Sequence, residues 1–227
     1  EDAYKFYWKY LKLQEIYDAM PGQLDQKNKR FQLNSLGKGI SYDRVANDFL
    51  WLKDAGVAIP VYNISEPKSP LIISENRNLF KLFFSDVGLL TSCYSNQVKV
   101  AILNKDKSIN NGALFENAVA QELLSKGHKV YYFNSKKQGE LDFVIEHEGN
   151  VLPLEIKSGK DYTRHNALTG VLANPEYGIP AAVVFHSGNV SVKDKITYYP
   201  IYMMMFLREP ELEQGLTYTP DFGVLMG

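Results

Sequence analysis

With 227 residues, 45% of them hydrophobic, the chain can bury a substantial core and should fold as one or two domains. Its 25 basic residues against 26 acidic ones exclude a protein whose overall charge coats nucleic acid or an anionic membrane, so any basic surface must be local. The single cysteine, Cys93, excludes an intrachain disulfide, and no apolar run approaches the roughly 18 residues of a membrane-spanning helix, so a soluble protein of a reducing, cytoplasmic compartment is expected.

The opening EDAYKFYWKYLKL is charged throughout and has no apolar signal core; with no initiator methionine before Glu1, it reads as a fragment of a longer chain. Its aromatic residues Tyr4, Phe6, Tyr7, Trp8 and Tyr10 are too dense for one helix face and suggest an uncovered interface. Ser41 to Gly56 reads as a helix, with Ser41 as N-cap, Val45, Phe49 and Leu52 at helical spacing and Gly56 as stop. The β-branched run VAIPVYNIS, broken by Pro60, and the apolar Leu71 to Ile73 then suggest a hairpin, so that helix plus hairpin resembles a winged helix. That helix carries Asp43, Asp48 and Asp54 against Arg44 and Lys53, which favours a scaffold or partner-docking role over groove reading. In NRNLFKLFFSDVGLL the spacing of Leu79, Leu82, Phe83, Val87 and Leu90 predicts another helix. The polar stretch between Cys93 and Gly112 is read as a connection, giving a small helical, winged-helix-like domain over 1–108 and an α/β domain over 109–227.

In the second half, ALFENAVAQELLSK predicts a helix stopped by Gly127 and KVYYF a strand. ELDFVIEHEGNVLPLEIK predicts two strands around a turn at Glu148, Gly149 and Asn150. A helix ending at Leu172 and strands in AAVVFHS and ITYYPIYMMMF follow, an α/β order with a mixed sheet. Alternation in PLEIK puts Glu155 and Lys157 on one face, opposite the apolar Leu154 and Ile156. The same hairpin can bring Asp142 to Glu155. Two carboxylates at one place repel unless a cation lies between them, which points to a hard divalent metal, magnesium or manganese, and a neighbouring lysine could orient water and steady charge on a phosphate. An acid-x-lysine triplet alone is common, and a solvated hairpin would also account for it.

The order of the surrounding elements adds to this reading. An acid near the start of ALFENAVAQEL, a strand, GELDFVI, a tight turn and PLEIK resemble the PD-(D/E)XK nuclease superfamily. That resemblance implies a restriction-endonuclease-like mixed sheet with flanking helices. It also implies Asp142 and Glu155 as metal ligands, Lys157 as the residue that assists water, and Glu116 as the helix acid that completes the site. PGQLDQKNKRFQLNSLGKG, DFLWLKDAGVAIPVYNIS, FKLFFSDVGLL and PLEIKSGK further resemble the C-terminal half of an uncharacterised prokaryotic family in which an AAA-type ATPase domain precedes such a nuclease-like domain. An upstream ATPase domain and DNA are the partners so implied. The chain itself lacks G-x-x-x-x-G-K-[ST], since Gly159-Lys160 is followed by Asp161 and Gly37-Lys38 by Gly39, so no ATPase activity is expected of it. Lys160 and Arg164, charged at neutral pH, are candidate phosphate contacts, whereas His165 reads as an ordinary, partly exposed histidine. The alternative to a metal-dependent nuclease is a catalytically inactive nuclease fold that binds DNA or a protein partner.

Overall fold

In the computed structural model, residues 2–106, 109, 111–159 and 161–208 are described, with the side chains of 2–8 excepted. The chain forms one mixed eight-stranded sheet with helices packed on it, in strand order β2-β1-β3-β4-β5-β6-β8-β7. The first half contributes helices α1 (Asp2–Leu24) and α2 (Tyr42–Asp54), strands β1 (Ala58–Ile64) and β2 (Glu75–Phe84), and the short helices α3 (Val87–Ser92) and α4 (Asn96–Leu103). The second half contributes α5 (Gly112–Ser125), β3 (Tyr131–Ser135), β4 (Gly139–His147), β5 (Asn150–Ile156), α6 (Asn166–Ala173), β6 (Ala182–His186), β7 (Ser191–Lys193) and β8 (Ile196–Pro200). No helix among the described residues is long and apolar enough to cross a membrane.

Both faces of the sheet are covered, so alternate residues of a strand enter different cores. Tyr132, Val183 and Phe185 join the core that also holds Ile16, Met20, Phe49 and Val119, from α1, α2 and α5. Tyr131, Phe133, Ala182 and Val184 join a second core with Leu168 and Val171 of α6. The turn between β4 and β5 has positive φ at both Glu148 and Gly149, 50° and 75°, the backbone of a two-residue turn whose twist matches that of the paired strands.

Three local expectations are corrected. The helix expected over 76–90 is strand β2, followed only after Asp86 by the short α3. Phe80 to Phe84 are all buried, so the run shows none of the alternation by which a half-exposed strand is recognised. Leu71–Ser74 forms a single 3-10 turn, and the antiparallel partner of β1 is β2; the other edge of β1 pairs in parallel with β3, making the strand pair an extension of the main sheet. Pro60 is tolerated within β1 because β3 reaches only Tyr62 to Ile64, leaving the proline end of β1 with β2 alone. Finally, the polar connection after Cys93 contains helix α4, capped by Ser95, whose hydroxyl accepts from the Val98 N–H.

Candidate active site

The β4–β5 hairpin builds the centre of the site. Its register pairs Phe143 with Leu154, so one step further along the same antiparallel ladder Asp142 faces Glu155. The Asp142 carboxylate accepts the Ile156 backbone N–H at 2.8 Å, which ties it to the end of β5. Lys157 continues the strand direction, its N–H donating to the Phe185 carbonyl of β6, and its ammonium donates to Glu155 Oε1 at 2.7 Å. From the other side, α5 brings in Glu116, which is buried and accepts from Lys29 Nζ at 2.5 Å.

Electrostatics link these groups into one cluster. Burial, and then the charge of Asp142, pushes the Glu116 carboxyl up to about 7 from its ordinary 4.5, although Lys81 and Lys29 pull the other way. Burial and Asp142 likewise push Glu155 up to about 8, against the pull of Lys157. Asp142 is therefore the shared neighbour of the two buried acids. Burial works against the Lys157 ammonium, but Glu155, Asp142 and Glu116 hold its pKa above the ordinary value. Glu116 Oε2 and Glu155 Oε2 are both buried without a hydrogen-bond partner, an arrangement that buried carboxylates rarely sustain unless something else comes to meet them.

A cleft of about 320 Å³ opens on this cluster, lined by Lys29, Gly112, Glu116, Lys157 and the loop Ser158, Gly159 and Asp161. The donor set suits a hard cation: carboxylate oxygens, two of them unpartnered, with lysines beside them. Magnesium keeps several waters and commonly takes only one or two protein carboxylates, so a pair such as Asp142 and Glu155 could hold one. Among the described residues no group of three His, Cys, Asp or Glu side chains is gathered closely enough to hold a metal ion, and the three acids do not close into one ligand shell.

The other expected residues lie as follows. Lys160 falls outside the described residues. Arg164 is exposed on the loop after the triplet and is not among the residues lining the cleft. His165 precedes α6, with Nε2 2.6 Å from the Tyr198 hydroxyl and Nδ1 3.3 Å from Thr169 Oγ1, and burial lowers its pKa; these contacts describe a structural residue. The aromatic side chains of Tyr4, Phe6, Tyr7 and Trp8 are outside the described residues, while Tyr10 is exposed.

Two residues of the cluster escaped the sequence reading. Lys81 of β2 is completely buried, pairs with Glu140 Oε1 at 2.6 Å and has its ammonium 5.0 Å from the centroid of the Tyr132 ring. Burial opposes its charge, but Glu116, Glu140 and Asp142 together raise its pKa. Its one sequence signal is a lone lysine inside the apolar run LFKLFF. Lys29 carries none, because its partner Glu116 lies 87 residues away.

The chain is thus a mixed α/β protein whose sheet gathers a buried acid and lysine cluster. Residues 111–204 match a domain of unknown function (DUF4143), and residues 7–99 match a second domain of unknown function (DUF8612). Comparison with curated proteins and with solved structures gave no match.

Proposed function

We propose that this protein carries a metal-dependent phosphodiesterase site of the nuclease type, on a restriction-endonuclease-like fold, acting on DNA alongside an upstream AAA-type ATPase domain. The observation that supports this reading best is the facing of Asp142 and Glu155 across one hairpin, with Lys157 on Glu155 and two buried carboxylate oxygens left without partners. Asp142 and Glu155 would hold a magnesium or manganese ion. Such an ion supplies positive charge at a phosphate and lowers the pKa of water. Lys157, fixed at its backbone and lining the cleft, orients the attacking water and steadies the charge that grows on the phosphate oxygens. Glu116, held near 7, is poised to accept or return a proton at neutral pH.

The decisive experiment is incubation of plasmid, linear and branched DNA with magnesium or manganese, using the wild type and Lys157→Ala. Lys157→Ala should lose most of the cleavage while keeping the fold and manganese binding, since the lysine is not a ligand. Asp142→Ala should lose manganese affinity itself. Absence of cleavage on every form of DNA with both metals, in the chain joined to its ATPase domain, overturns the enzymatic reading.

One observation favours a second reading, a nuclease fold used only to bind DNA or a protein. Lys29 and Lys157 already offset Glu116 and Glu155 within the chain, and the three acids form no three-ligand group among the described residues. A binding module would show no metal-dependent cleavage, and its Lys157 variant would lose DNA affinity through one charge contact.

A further inference from the structure

We propose that Lys29, from the first half of the chain, is the second cationic arm of the cleft: it neutralises Glu116 while no divalent cation is bound and turns to the phosphate backbone of DNA once one is. This rests on the metal-dependent reading above and adds the residue that couples metal and substrate.

Lys29 and Lys157 line the same cleft, together with Gly112 at the N-terminus of α5. Each ammonium sits on one oxygen of a buried carboxylate whose second oxygen has no partner. The two acids are therefore half satisfied, by monovalent cations on flexible stems. A divalent ion entering beside Asp142 removes the electrostatic need for both ammonium groups, and each is released into a cleft whose described lining also holds Glu116 and Asp161. A phosphodiester is the ligand that two such groups favour.

The segment that carries Lys29 is anchored, so only its side chain must move. The Phe31 N–H donates to the Phe80 carbonyl at 2.8 Å, and Arg30 bridges to Lys81 of β2. The Lys29 side chain is 17% exposed, against 6% for Glu116, so the lysine is the more open of the two partners. A pair kept only for stability would gain little from this arrangement, because desolvating both ions offsets most of their attraction.

The test compares wild type and Lys29→Met in two binding measurements: manganese affinity by calorimetry, and affinity for a short fluorescent DNA duplex by anisotropy in calcium. Loss of the competing ammonium should tighten manganese binding by about three- to tenfold, and loss of the phosphate contact should weaken DNA binding by about tenfold and lower its salt slope by about one. Lys29→Arg should restore the DNA affinity. Equal manganese and DNA affinities in wild type and Lys29→Met overturn the role of Lys29 alone. No manganese binding by either protein overturns the metal-dependent reading, and this proposal with it. If Lys29→Met does not fold, acetylation of the wild type decides: Lys29 should become more reactive on adding manganese and protected on adding DNA, and unchanged reactivity overturns the proposal.

Discussion

Glu155 offers a direct test of the cluster, because its burial gives stability an unusual pH dependence. Its carboxyl is held at about 8 in the folded protein and near 4.5 in the unfolded chain. Between those values the folded state keeps a proton that the unfolded state has released, so stability falls as pH rises through this window and is highest at its acid end. From pH 5.5 to 7.5 a single such carboxyl costs up to about 3 kcal/mol, at about 1.4 kcal/mol per pH unit. For a chain of this size that is a fall of about 6–12 °C in Tm. Scanning calorimetry of the wild type and Glu155→Gln across this range should show the fall in the wild type and a clearly shallower one in the variant, whose amide does not titrate. Magnesium should recover more of the wild-type Tm at pH 7.5 than at pH 5.5, since it binds the ionised acid. Parallel pH profiles of the two proteins would refute the buried-carboxyl argument. A wild-type slope that magnesium leaves untouched would keep the argument and remove the metal.

Lys81→Met should cost about 2–4 kcal/mol, since it removes the cation that Glu140, Glu116 and Asp142 share, and the deficit in urea unfolding should be larger at pH 7.5 than at pH 5.5, because without that cation Glu116 is harder still to ionise. Asn117→Leu should cost about 2–4 kcal/mol in the same assay, because the Asn117 amide accepts from the Phe84 N–H at 2.8 Å and donates to the Phe84 carbonyl at 3.0 Å, and the variant leaves both backbone groups buried and unpaired. ATP should neither bind in calorimetry nor be hydrolysed by this chain, for want of a glycine-rich loop with its lysine; stoichiometric binding would contradict the motif argument.

The second half of the fold was more legible than the first, for reasons that lie in how each strand is buried. In β4 and β5 a short turn with Gly149 separates two runs, and the residues between Leu154 and Lys157 alternate cleanly, so both strands and their pairing follow from local rules. In β2 the buried run Phe80 to Phe84 contains apolar residues at helical intervals as well as strand intervals, and only the neighbouring β1 decides between them. Pro60 reads as a break in the β-branched run, yet β1 continues through it because β3 reaches only Tyr62 to Ile64 and leaves the proline end with β2 alone. At the site, Asp142, Glu155 and Lys157 stand out through strand alternation and Glu116 through the family resemblance, but the other counter-ions do not: Lys29 and Lys81 reach Glu116 and Glu140 from distant parts of the chain. Long-range ion pairs leave no periodic trace.

Those counter-ions also bear on why the cluster exists. Lys81, Glu116 and Glu155 are each more than nine-tenths buried, and burying ions, even paired ones, commonly contributes nothing to stability relative to apolar side chains of similar volume. Lys81 lies in a wholly buried stretch of β2 with its ammonium beside the Tyr132 ring, so an apolar side chain of similar volume has neighbours to pack against there. A fold selected for stability alone has no reason to gather two high-pKa carboxyls around a third acid and then compensate them with lysines from both halves of the chain. Perturbed acids cluster at functional sites more than elsewhere, and that is the ground on which the proposed chemistry rests. The first half of the chain takes part in this cluster: Lys81 of β2 pairs with Glu140 of β4, and its charge eases the ionisation of Glu116.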